Sequence, residues 1–276
     1  MSTTITLACG APVLEDLIDA IAVPDLRIDA DEAGGLVPGI YRFHREGVST
    51  RFTEVTVAET SLAVRIFSMA SPEDVAFAMR IVTEIAALGT LKVADAEMMG
   101  VVPIATIVAH HDAGWADDQA KSGVRVLRSM IEDGRGPMEV PGPRRGYFVG
   151  PRVLAELDAS GPLETAHLRM LETIRRVQWM PVRTAGTFLA KGEDDADVKL
   201  AVWLGDEVVF PSVPYAAVSS EREGGARDVV LIDSSHVPGL AGDRWSYIDE
   251  RQGHLRDFGD DWPALIDAAR AFATQL

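Results

Sequence analysis

The stretch S-P-E-D-V-A-F-A-M-R-I-V-T-E-I-A-A-L-G, residues 71–89, decides how the chain is read. Ser71 can accept a backbone N–H bond as an N-cap, Pro72 suits the first helical position, and Glu73 and Asp74 complement the positive end of the helix dipole. Val75, Ala78, Met79, Val82, Ile85 and Ala86 then recur on one face. Phe77, Ile81 and Leu88 widen that face, which predicts a helix to Leu88 buried between layers. Gly89 is a helix stop.

Working outward, the residues before this helix read as β-rich. Ile5 to Cys9 alternates like a strand. Pro12 to Val23 places Val13, Leu14, Leu17, Ile18 and Ile21 on one helical face. Leu26 to Ile28 is a short strand, and Gly39 to His44, Phe52 to Ala58 and Ser61 to Ser68 form a meander. After the helix, Thr90 to Val93 returns as a strand. The apolar run Val101 to Ala109 reads as a strand leading into His110-His111-Asp112, and Asp117 to Glu132 as a helix with its N-cap at Asp117. Further on, helices over Val153 to Leu157 and Leu163 to Val177 precede strands at Arg183 to Ala190, Val198 to Leu204, Glu207 to Phe210, Tyr215 to Ser219, Val229 to Asp233 and Trp245 to Ile248. A last amphipathic helix is capped by Asp260 or Asp261. This order predicts an α+β protein with two antiparallel or mixed sheet regions, each packed by helices.

Between the two regions lies R-G-P-M-E-V-P-G-P-R-R-G-Y-F-V-G-P-R, from Arg135 to Arg152, rich in Gly and Pro and holding four arginines against one acid, Glu139. Its composition makes it the junction: an N-terminal region over 1–133, a linker or long loop over 134–152 and a C-terminal region over 153–276. The contrast with the rest of the chain is strong. The protein carries 26 basic and 42 acidic residues, a formal net charge of -16. Met1 to Val140 has 11 basic against 21 acidic residues and Pro141 to Leu276 has 15 against 21, so neither half looks like a nucleic-acid domain. An acidic surface repels nucleic acid and anionic membranes and attracts basic partners. No apolar run is long enough to span a bilayer and the start lacks a signal-peptide pattern, so the expected location is the cytoplasm. Cys9 is the only cysteine, which removes any intramolecular disulfide, and it reads as a structural thiol.

Most motifs that carry chemistry are missing. There is no phosphate-binding or dinucleotide-binding glycine loop, no nucleophile elbow, no H-E-x-x-H and no C-x-x-C, so no cofactor is expected. Asp29-Ala30-Asp31-Glu32-Ala33-Gly34 starts like a calcium loop and then fails, with Ala33 at its fifth position and Ile40 where a bidentate Glu is needed. Asp233-Ser234-Ser235-His236 holds the residue types of a serine triad, but triad members converge from separate elements, and a polar turn accounts for it. His110, His111 and Asp112 are the candidates for metal or acid–base chemistry. Adjacent residues of a strand point to opposite faces, so both histidines cannot easily bind one ion without a loop, and a third ligand would have to come from elsewhere, with His236 and His254 as the candidates. Arg144, Arg145 and Arg152 are the candidates for binding a small anion, because guanidinium groups grip carboxylate and phosphate and glycine permits close approach. Their alternative role is to pair with the chain's own acids.

The stretch from Phe52 through Asp95, with its strand pair and its capped helix containing A-F-A-M-R-I-V, and the later R-R-G-Y-F-V-G-P-R at Arg144 to Arg152, resemble a family of bacterial proteins of unknown function. That resemblance implies no activity and no site residue. The leading functional expectation is a cytoplasmic, non-catalytic interaction protein, of the immunity or antidote kind, that binds a basic partner. The alternatives are a metal-dependent enzyme using His110, His111 and Asp112, and a small-anion binder using Arg144, Arg145 and Arg152.

Overall fold

A computed structural model describes residues 2–9, 13–23, 25–30, 38–192, 195–221 and 227–276. The acidic loop over 31–37 lies outside them. Two compact units emerge, Met1–Trp179 and Met180–Leu276. The class is α+β, as the order of elements implied.

In the first unit the elements are β1 (Ser2–Leu7), α1 (Val13–Ile21), β2 (Leu26–Ala30), β3 (Gly39–Arg45), β4 (Thr53–Val57), β5 (Leu62–Phe67), α2 (Pro72–Leu88), β6 (Val93–Ala96), β7 (Gly100–Pro103), α3 (Ile104–His110), α4 (Ala113–Glu132), β8 (Met138–Val140), β9 (Tyr147–Val149), α5 (Pro151–Ala159) and α6 (Ala166–Gln178). Strands β1 to β7 form one sheet in the order β2-β3-β4-β5-β1-β6-β7, antiparallel throughout. β1 sits inside the sheet because it pairs with both β5 and β6, with Ile5 opposite Val64 and Leu7 opposite Leu62. Alternation then puts Ile5, Leu7, Val55, Val64 and Ile66 on the covered face, against α2 residues such as Ile81 and Ile85. Burial of each such aliphatic side chain contributes about 1.5–3 kcal/mol.

α2 follows its sequence closely. The Ser71 hydroxyl accepts the Asp74 N–H, and the Asp74 carboxylate accepts the Ser71 N–H in return, which is a capping box. Asp74 also reaches beyond its own helix. Its Oδ2 accepts the N–H groups of Thr50 and Arg51 at 3.0 and 3.1 Å and the Thr50 hydroxyl at 2.5 Å. One buried carboxylate thus fastens the loop between β3 and β4 to the start of α2. The neighbouring Arg51 guanidinium lies over the Phe67 ring and is brought down to about 10 by burial, which Asp74 opposes.

Val101 to Ala109 is not one strand. Its first residues are β7 and the rest are helix α3, with Pro103 as the residue that caps it. A short apolar run fits a buried strand and a buried helix equally well, and here the helix wins because Ile104 and Ile107 turn inward together. α4 likewise starts earlier than Asp117: Asp112 is its N-cap, with Oδ1 accepting the Trp115 N–H at 2.9 Å.

The second unit contains β10 (Thr187–Lys191), β11 (Asp197–Trp203), β12 (Val208–Phe210), β13 (Tyr215–Glu221), β14 (Arg227–Asp233), α7 (Val237–Ala241), β15 (Trp245–Tyr247), β16 (Gly253–Leu255) and α8 (Trp262–Ala269). β10, β11, β13 and β14 form a mixed four-stranded sheet in that order, parallel only between β11 and β13, and β12, β16 and β15 form a smaller one. Ala201, Trp203, Ala216, Val218 and Ile232 face α8 residues Leu265, Ile266 and Ala269 in a separate core. Trp203 lies edge-on to Phe258 and Trp262, with ring centres 5.3 and 5.0 Å away. Asp261 precedes α8, but its side chain makes no capping bond.

Candidate functional site

The arginine-rich segment lies inside the first unit rather than at its boundary, and α5 and α6, which the sequence reading gave to the C-terminal region, belong to that unit as well. The segment is ordered by a hairpin, β8 paired with β9, and by one polar side chain. Gln178, fully buried at the end of α6, accepts the N–H groups of Arg144 and Arg145 with its Oε1 at 3.0 and 3.1 Å and donates its Nε2–H to the Arg145 carbonyl at 2.6 Å. The loop comes so close to its neighbours that a Cβ at Gly142 would overlap the Gln178 amide, and one at Gly146 would overlap the Glu139 carboxylate. These two glycines therefore serve close packing.

The three arginines stand in different surroundings. Arg144 is exposed. Arg145 is buried, and desolvation, with the Arg144 charge next to it, lowers its guanidinium to about 10. Arg152 bonds Glu156 one turn on in α5 at 2.8 Å.

His110, His111 and Asp112 are also separated in role. His111 is buried, with Nδ1 2.8 Å from the Ile107 carbonyl and its ring edge-on to Trp115, and burial holds it below the ordinary histidine range. Asp112 is occupied as the α4 cap, and His110 lies edge-on to the His111 ring, their centres 5.1 Å apart. Among the described residues, no group of three or more His, Cys, Asp or Glu side chains is gathered to hold a metal ion. In Asp233-Ser234-Ser235-His236 the aspartate accepts the Ser235 N–H at 2.8 Å and His236 stacks on Phe272, which is the arrangement of a polar turn. Cys9 packs against the first core, and burial raises its thiol.

Two features have stronger geometry. The first is a cleft of about 480 Å³ between α4 and α6, beside the 3-10 turn Leu163–Thr165. Lys121, Arg125 and Arg128 enter it from α4, and His167 from α6. Their spacing at i, i+4 and i+7 is the sequence signal that could have found them.

The second is the outer edge of β10. Gly192 donates to the Ala196 carbonyl and Val202 to the Gly186 carbonyl, so the even-numbered residues of this strand face β11. The peptide groups of Thr187, Leu189 and Lys191 therefore face the other way. Among the described residues no strand pairs with that side. Phe188 and Leu189 are 58% and 69% exposed on opposite faces of the strand. Natural sheet edges are commonly guarded by proline or bulges, and T-F-L-A-K has only its terminal lysine as a guard. That lysine is drawn to Asp197 at 3.0 Å. The sequence that follows, G-E-D-D-A-D at 192–197, is acidic.

No helix among the described residues is long and apolar enough to cross a membrane. No family model, no curated protein and no solved structure matches the chain.

Proposed function

We propose that this is a non-catalytic, cytoplasmic interaction protein, of the immunity or antidote kind, which takes up an extended segment of a basic partner as an added strand beside β10. The observation that carries the reading is the outward peptide edge of Thr187, Leu189 and Lys191 with Phe188 and Leu189 exposed around it. An added strand gains main-chain hydrogen bonds there, and the side chains of Phe188 and Leu189 grip it from both faces. The acidic sequence at 192–197 and the net charge of -16 favour lysine and arginine in the incoming segment and speed its approach.

Proline at position 189 provides a specific test. It removes an N–H that makes no bond to β11, so the sheet keeps its ladder while the docking edge loses a donor. Co-purification at low salt should recover a basic partner with the parent protein and lose it with Leu189→Pro. Recovery of no basic partner, or equal recovery with Leu189→Pro, contradicts the proposal.

A further inference from the structure

We infer that the cleft between α4 and α6 is a binding site for a small organic anion, a phosphate or carboxylate head carried on an apolar body. It is separate from the arginine-rich loop and independent of the β10 edge.

The lining supplies the two chemistries that such a ligand needs. The cationic wall is one face of α4, where Lys121, Arg125 and Arg128 follow each other along successive turns. Two of the three are held in place. Lys121 Nζ lies 2.5 Å from Asp117 Oδ2, and Asp117 Oδ1 lies 2.6 Å from Nε2 of the buried His167, so a lysine–aspartate–histidine chain braces α4 against α6. Arg128 makes a two-point contact with Asp158 of α5, at 2.9 and 2.5 Å. Arg125, between them, is exposed and has no hydrogen-bond or ion-pair partner among the described residues. In a chain of net charge -16, a guanidinium left unpaired between two braced cations is poised to accept an anion in two-point fashion. Among the described residues, the only carboxylate lining the cleft, Glu164, is exposed and comes from the 3-10 turn, which favours an anionic head beside α4.

The rest of the lining is apolar: Val124 on α4 among the cations, Leu163 in the 3-10 turn and Ala166 at the start of α6, with Leu163 62% exposed. A volume of about 480 Å³ falls in the usual range for small-molecule sites, roughly 300–1,000 Å³. Three cations with aliphatic side chains among them suit a ligand that carries both an anionic head and an apolar body better than a bare inorganic ion.

Isothermal titration with hexyl phosphate, hexanoate and inorganic phosphate, on the full chain, tests this. One or both of the hexyl compounds should bind, and which of them binds tighter distinguishes a phosphate head from a carboxylate. Inorganic phosphate should bind at least tenfold more weakly. Arg125→Ala and Leu163→Asp, both at exposed positions, should each weaken binding at least tenfold, while Arg144→Ala leaves it unchanged. The inference is overturned by any of three results: neither hexyl compound binds at millimolar concentration, inorganic phosphate binds as tightly as they do, or Arg144→Ala removes binding that Arg125→Ala leaves intact.

Discussion

Single polar side chains fasten this fold at points where the chain has no regular structure to do so. Asp74 is the clearest case. It is buried, and its Oδ2 serves Thr50, Arg51 and Ser71 together. Asp74→Ala leaves buried N–H groups without an acceptor and should cost about 3 kcal/mol, read as a lower denaturation midpoint, with partial recovery in Asp74→Asn. The helix-start role of Asp74 was legible in S-P-E-D, but its hold on Thr50 and Arg51 was not, because those partners lie more than twenty residues upstream in an irregular loop. Gln178 was equally silent: a glutamine late in an amphipathic helix carries no signal that it will organise an arginine loop. Two buried histidines set a pH dependence. Burial depresses both His44 and His111, so the folded protein disfavours their charged forms. On unfolding each regains an ordinary value of about 6.5 and binds a proton below it. Their stabilising contribution is therefore present above that pH and lost as pH falls. Urea midpoints should decline from pH 7 to pH 5, and the double variant His44→Phe, His111→Phe should flatten that decline.

α2, with its periodic pattern and its cap, was readable from the sequence, and so was most of α6, although its expected first residues form the 3-10 turn Leu163–Thr165. Those that depend on neighbours were not. Val101 to Ala109 is apolar without a period, so its division into β7 and α3 is made by packing of Ile104 and Ile107. The arginine-rich segment read as a linker because Gly and Pro dominate it, yet β8 and β9 pair within it and glycine there serves close approach to Gln178 and Glu139. The edge position of β10 was not visible at all, since strand order is a property of the sheet. It has a consequence in the free protein. Amide exchange by NMR should alternate along β10, fast at Thr187, Leu189 and Lys191 and slow at Phe188 and Ala190, and uniform protection would mean that the edge is already covered.

At the scale of the molecule, two cores account for two units, one built on α2 and the seven-stranded sheet and one on Trp203 and α8. The α+β class followed from the order of elements. Where the units divide did not, because composition marks irregular backbone and says nothing of which core α5 and α6 join. A fragment over 180–276 should melt in one cooperative transition, whereas a fragment that starts at 153 gains no stability from α5 and α6, whose contacts in this fold include α4. The acidity of the whole chain acts on the partner that β10 is proposed to receive, so association should slow as salt rises. The most direct measurement is residue-resolved amide exchange with the low-salt partner bound. Strand addition predicts new protection at Thr187, Leu189 and Lys191, absent in Leu189→Pro. Protection that appears elsewhere while these three amides still exchange freely would contradict it.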